Sequence, residues 1–93
     1  MKYQLRYHRL VVSQDIPKLD GAVKSRIRQN IEQKLTAYPE IFGLPLRYSL
    51  QGHRKLRVGD YRVVYRVEGQ AVIVLAIMHR SVVYDRAAKR LSS

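Results

Sequence analysis

HRKLRVGDYRVVY, residues 53–65, decides how this chain is read. The stretch holds four cations and a histidine among residues that otherwise alternate as two strands, and Gly59-Asp60 sits where a two-residue hairpin turn belongs. Counting outward from that turn predicts Val58 opposite Tyr61, Arg57 opposite Arg62, Leu56 opposite Val63, Lys55 opposite Val64 and, farther out, His53 opposite Arg66. Side chains alternate with period two, so His53, Lys55, Arg57, Arg62 and Arg66 are expected on one face and Leu56, Val58, Tyr61, Val63 and Tyr65 on the other. One face reads as core, the other as a cationic platform. Like charges opposed across a sheet cost a few tenths to about 1 kcal/mol, so the Arg57–Arg62 pair points to an anion lying over it.

Downstream, a turn at Glu68-Gly69 leads to a third strand over residues 71–77. Its sequence, AVIVLAI, continued by Met78, is apolar on both faces and predicts a central strand covered on both sides. Residues 82–84 are expected to extend the sheet, and residues 85–91 to form a short terminal helix or frayed tail. Upstream, PEIFGLP at residues 39–45 is a loop by its Pro39, Gly43 and Pro45. Before it, Val23, Ile27, Ile31 and Leu35 recur every fourth residue behind Asp20, a candidate N-cap, and predict a helix that packs this stripe into the core. Residues 9–19 predict a second, short or kinked helix, because Pro17 cannot donate to an i−4 carbonyl. Residues 2–7 alternate with Tyr3, Leu5 and Tyr7 on one side, as an edge or near-edge strand would.

Ninety-three residues, 46% of them hydrophobic, suit one compact domain. Eighteen Lys and Arg against seven Asp and Glu give a formal charge of +11, which calls for a polyanionic partner, nucleic acid first. The excess runs through both halves of the chain. The absence of cysteine excludes disulfides, thiolate metal sites and a thiol nucleophile, and fits a reducing cytoplasm. MKYQLRYHR carries no apolar signal core, and no apolar run is long enough to span a bilayer, so no membrane association is expected. His8, His53 and His79 are scattered, so neither zinc nor another cofactor is expected.

The order strand, helices, strand, strand, strand, taken with KLRVGDYRVVYRVEGQAVIVLAIMHRSVVY, resembles the RelE/ParE superfamily of type II toxins, most closely its RelE-like mRNA interferase branch. The expected fold is α+β: a small antiparallel four-stranded sheet, mixed at the first strand, with two N-terminal helices on one face and a short C-terminal helix or tail. The resemblance implies a basic face that enters the ribosomal A site and cuts messenger RNA there, a cognate antitoxin that silences it, and possible assembly as a toxin–antitoxin hetero-oligomer. It places Lys55 on the family's motif lysine, Arg62 on the arginine of the second hairpin strand, Arg80 on the arginine after the last main strand, and Tyr84 on the late catalytic tyrosine. Where many relatives carry a second lysine two positions before Lys55, this chain has His53.

Metal-independent cleavage of RNA needs a group to accept the 2′-hydroxyl proton, cations for the transition state, and help for the departing 5′-oxygen. Crowding by Arg57 and Arg62 is expected to disfavour the charged form of Lys55, the direction a lysine base requires, and His53 is the alternative base. Arg62 and Arg80 join Lys55 and Tyr84 in the expected catalytic set, while His53, Arg54, Arg57 and Arg66 are expected to bind RNA phosphates. Tyr84 is suited to proton donation or to stacking on a base. Two other readings remain open at this level: a ParE-like inhibitor of DNA gyrase, and a non-catalytic module that binds nucleic acid or antitoxin.

Overall fold

The computed structural model describes residues 2–92. Its centre is the hairpin of β3 (Arg54–Val58) and β4 (Tyr61–Glu68), paired Val58–Tyr61, Arg57–Arg62, Leu56–Val63 and Lys55–Val64, as the turn count requires. Gly59 alone of the two turn residues has positive φ, at 61°, the position where a type II′ hairpin demands glycine. The ladder ends at Arg54–Tyr65, so His53 lies beyond it, in the connection leading into β3.

β5 (Ala71–His79) pairs antiparallel with β4, and β1 (Gln4–Tyr7) runs parallel along its other side. The sheet has five strands in the order β1-β5-β4-β3-β2, one more than expected. The addition is β2, only Leu44–Pro45, paired to β3 from within the segment read as a loop. Pro45 has no N–H to give to a ladder, which confines it to an edge, and there it stands.

Two cores flank the sheet, so the division into one apolar and one cationic face needs correction. The larger holds Leu56, Val58, Val63, Tyr65, Val72, Val74 and Ile77 against the N-terminal helices. On the other face, Val64, Leu75, Ala76 and Met78 are covered by Val83 and Ala87 of α3 (Val83–Ser92). Residues 82–84 therefore do not extend the sheet. Val83 and Ala87 lie one helical turn apart and bury together, a packing gain that outweighs the strand preference of Val-Val-Tyr.

α1 (Gly21–Asn30) opens on Asp20, whose carboxylate accepts from the Val23 N–H at 3.0 Å. A stripe stepping four residues at a time overshoots an α-helix by about 40° per step. Here α1 passes into a wider π-helical turn over Ile31–Leu35, which rotates the stripe back, and Ile27, Ile31 and Leu35 are all buried. The first helical stretch is likewise irregular, a π-helical turn over Val11–Asp15 running into a 3₁₀ turn at Ile16–Lys18 around Pro17.

β5 carries a bulge. Tyr65 pairs with Val74 but Val64 with Ala76, leaving Leu75 as the extra residue, which resets the alternation so that Val74 and Ile77 both face the larger core. β1 has ended at Tyr7, opposite Val74, so the outer edge of β5 beyond this point needs other partners. Asp15 and Arg90 provide them. The Asp15 carboxylate accepts from the Ile77 N–H at 2.9 Å, Arg90 donates to the Leu75 carbonyl at 2.9 Å, and the two side chains pair bidentately at 2.6 and 2.8 Å.

α2 (Pro39–Phe42) is tied down from the same core. The Tyr65 hydroxyl donates to the Pro39 carbonyl at 2.5 Å, and Arg54 Nη2 donates to the carbonyls of Glu40 and Gly43, both at 2.8 Å. A methyl group at Gly43 would run into the Tyr65 phenol. Gly43→Ala is expected to destabilise by about 1–3 kcal/mol through overpacking. In denaturant titrations, adding Tyr65→Phe should cost less in the Gly43→Ala background than in wild type, because the hydroxyl is the nearest atom to the new methyl.

Candidate active site

The face covered by α3 at one end stays open at the other, and there Lys55, Arg57, Arg62 and Tyr84 gather. Alternation places Lys55, Arg57 and Arg62 on the side of Val64 and Met78, the α3 side. Tyr84 stands in the first turn of α3, and Lys55 Nζ lies over its ring at 5.5 Å from the centroid. That distance is within cation–π range. Lys55 and Tyr84 are 29 positions apart in sequence, and the return of α3 over β5 and β4 brings them together.

The Gly59-Asp60 turn gathers the arginines. Arg62 Nη1 donates to the carbonyls of Gly59 at 3.0 Å and Tyr61 at 2.9 Å, which fixes its guanidinium against the turn. Arg80 reaches the same turn from the end of β5: its N–H donates to the Asp60 carbonyl at 2.8 Å, and its side chain stands 3.9 Å from the Asp60 carboxylate. Both partners of that ion pair are exposed, so the contact is weak and the guanidinium is open to a stronger anion. Arg57 faces Arg62 across the ladder and is exposed.

Three residues expected to bind phosphate have protein partners or surroundings of their own. Arg54 projects to the opposite face, beside Tyr65, where its bonds to Glu40 and Gly43 hold α2. Arg66 is engaged by Glu68, with Nε and Nη2 at 3.1 and 2.7 Å from one carboxylate oxygen. His53 is 6% exposed, closing the β2–β3 connection through backbone bonds with Leu46 and Leu50. An imidazole so enclosed is less accessible from this face than the half-buried Lys55.

Burial lowers the proton affinity of His53, reinforced by Arg66 and opposed by a hydrogen bond with the Gln51 backbone. His8 shifts the same way, through burial and then Arg90 and Arg9, and its Nδ1 accepts from the Leu10 N–H at 3.1 Å. Both imidazoles bind protons less readily in the folded chain than in the unfolded one. Stability should therefore be full above about pH 6.5 and decline as the pH falls toward the lowered folded values. Urea titrations across pH 5–7.5 should show this slope, and His53→Gln should flatten part of it. An unchanged slope would remove His53 from the account.

Sequence reasoning missed two features. Asp15 lies at four-residue spacing between Val11 and Leu19, both buried, and that spacing was the signal that its carboxylate faces inward. Tyr48 gave no local signal, yet it is an exposed aromatic in a left-handed backbone conformation. Among the described residues no three His, Asp or Glu side chains gather as a metal site would, and no helix is long and apolar enough to cross a membrane.

Comparison with known proteins accords with this geometry. The chain is 30% identical over 88 residues to Toxin RelG of Mycobacterium tuberculosis, spanning 92% of this chain and all of that protein. Its fold superposes with a TM-score of 0.78 on the toxin–antitoxin complex RelBE2 of M. tuberculosis, at 28% identity, covering 86% of this chain and 100% of that one. A double arginine-to-alanine mutant of the E. coli toxin RelE in the free state gives the same TM-score of 0.78 at 25% identity, covering 98% and 99%. The family model described as the ParE toxin of type II toxin-antitoxin systems matches residues 5–84. This chain belongs to that family, and is a type II toxin of the RelE/ParE superfamily.

Proposed function

We propose that this toxin is an endoribonuclease that cleaves messenger RNA in the ribosomal A site, and that Lys55, Arg62, Arg80 and Tyr84 carry the reaction. The observation that supports this most is the contact of Lys55 with Tyr84 on the face that carries Arg57 and Arg62, with Arg80 held at the turn that closes the same hairpin. A base, a proton donor and fixed cations on one open face are what a metal-independent cut requires.

In the proposed step Lys55 Nζ, in its neutral form, takes the 2′-hydroxyl proton as the 2′-oxygen attacks the adjacent phosphorus. The P–O5′ bond breaks, leaving a 2′,3′-cyclic phosphate on one fragment and a 5′-hydroxyl on the other, with Tyr84 giving the departing oxygen its proton. Arg62 and Arg80 oppose the charge that builds on the equatorial oxygens, and Arg57 holds a flanking phosphate. The exposure of Arg57 and Arg80 and the charge of +11 favour a polyanion that stays solvated at its edges.

A cognate antitoxin follows from the same reading. The M. tuberculosis relative is solved as a toxin–antitoxin complex, and an acidic, partly disordered antitoxin segment would complement this surface. The family model's description as a ParE toxin favours one other reading, inhibition of DNA gyrase without RNA cleavage. Induction without antitoxin separates the two. Growth arrest with new 5′ ends in ribosome-bound messengers is expected, whereas double-strand DNA breaks with intact messenger would establish the gyrase reading instead.

A further inference from the structure

Tyr48 is the one non-glycine residue with positive φ, at 57°, among the described residues, and its side chain is 88% exposed. Left-handed backbone at a bulky residue costs on the order of 1 kcal/mol or more and persists only where its surroundings impose it. Here they do. The connection between β2 and β3 is pinned by the Leu46 N–H to the His53 carbonyl at 2.9 Å, Leu50 to Arg47 at 3.2 Å, Gln51 to Tyr48 at 3.0 Å and His53 to Leu50 at 3.0 Å. The loop holds an aromatic ring out in solvent on a rigid backbone, and the ring contributes nothing to the core.

The position of that ring gives it a use. Leu46 and Leu50, on either side of Tyr48, pack in the cluster that also contains Tyr84, and the 3₁₀ turn of Tyr48–Leu50 lies against α3. The turn that carries the ring therefore stands on the α3 side of the sheet, the side of Lys55. Lys55 follows His53, which closes the loop, by two residues, about 7 Å along an extended strand. Arg47, next to Tyr48, is also exposed.

We infer that Tyr48 is a stacking platform for an unpaired RNA base flanking the cleavage site, with Arg47 on the adjoining phosphate. The inference rests on the reading of the Lys55–Tyr84 face as RNA-cleaving and names a further subsite of it. An exposed flat ring next to an exposed arginine suits a nucleobase, because stacking supplies affinity through the π-face while the guanidinium takes the backbone charge. Tyr48 is a positioning residue and touches no reacting atom.

Fluorescence anisotropy with a single-stranded oligoribonucleotide bearing 2′-O-methyl groups, which block attack by the 2′-oxygen, reads binding apart from cleavage. At physiological salt Tyr48→Ala is expected to weaken binding about 5- to 100-fold, and Tyr48→Trp to restore it with indole emission quenched on addition of the RNA. Tyr48→Gly should bind as weakly as Tyr48→Ala yet melt at a higher temperature than wild type, because glycine accepts the left-handed backbone, so the loss cannot be put down to misfolding. Equal affinity of wild type and Tyr48→Ala overturns the inference. So does retained RNA affinity with lost affinity for a cognate antitoxin, which would make the ring a protein contact. Undiminished cutting by Lys55→Ala would refute the catalytic reading alone, and leave the binding series to be decided by its own result.

Discussion

Lys55→Ala is expected to slow messenger cleavage about 10²- to 10⁴-fold in single-turnover assays on programmed ribosomes, the contribution of one positioned proton acceptor. Lys55→Arg should be nearly as slow, because a guanidinium keeps a cation over the Tyr84 ring but has no accessible neutral form to act as a base. Tyr84→Phe keeps the ring and the cation contact but removes the hydroxyl, so it should lower the rate at least about 10²-fold while leaving the affinity for ribosomes near wild type. Lys55 is half-buried at the open end of the face, so its variants should melt within about 0.5 kcal/mol of wild type. Wild-type rates in both Lys55→Ala and Tyr84→Phe would take the chemistry away from this pair and leave the face a binding surface.

The largest stability effect belongs to Asp15 and Arg90. Their side chains are 3% and 7% exposed, and removing one partner of a buried pair costs about 3–5 kcal/mol because the other charge is left uncompensated. For a domain whose whole stability is of the order of 5–15 kcal/mol, Arg90→Ala approaches loss of the fold. The pair differs from many buried ion pairs in one respect. Replacing both residues with apolar ones is often harmless elsewhere, but here it would also strip hydrogen-bond partners from Leu75 and Ile77 at the bulge. Asp15→Leu combined with Arg90→Met should therefore remain destabilised in guanidinium titrations. Wild-type stability in that double variant would show that the bulge does not depend on the pair.

How much of this could be read from the chain depended on the range of the signal. The β3–β4 register was legible because a two-residue turn and period-two alternation fix every pair from one starting point, and the Asp20 cap and the Val23 to Leu35 stripe are equally local. The second core was only half legible. Val64 stands among the cations by its own parity, but what covers it is α3, whose placement no local pattern encodes. β2 was invisible because two residues ending in proline carry no strand periodicity. Arg54 was grouped with the phosphate ligands by charge alone; the register places it opposite Tyr65, where its bonds to Glu40 and Gly43 hold α2.

The candidate site follows the same division. Lys55, Arg57 and Arg62 are neighbours on one hairpin and could be placed together from the sequence. Tyr84 and Arg80 were assigned by resemblance, and what brings them in is the length of β5 and the turn that reverses α3 over the sheet. Asp15 and Arg90 lie 75 positions apart and meet only where β1 stops short of the bulge. Tyr48 is exposed and strained for reasons that lie in the hydrogen bonds of its loop.

The most direct test of the central claim is cleavage of a messenger carrying a single 2′-deoxynucleotide at the mapped position, bound in the A site of purified ribosomes, with wild-type protein and no added metal beyond what the ribosome needs. Cutting of the all-ribose messenger to a 2′,3′-cyclic phosphate and a 5′-hydroxyl, with no cutting at the deoxy position, is the predicted result. Cutting that persists at the deoxy position, or messenger that stays whole in both substrates, would contradict it.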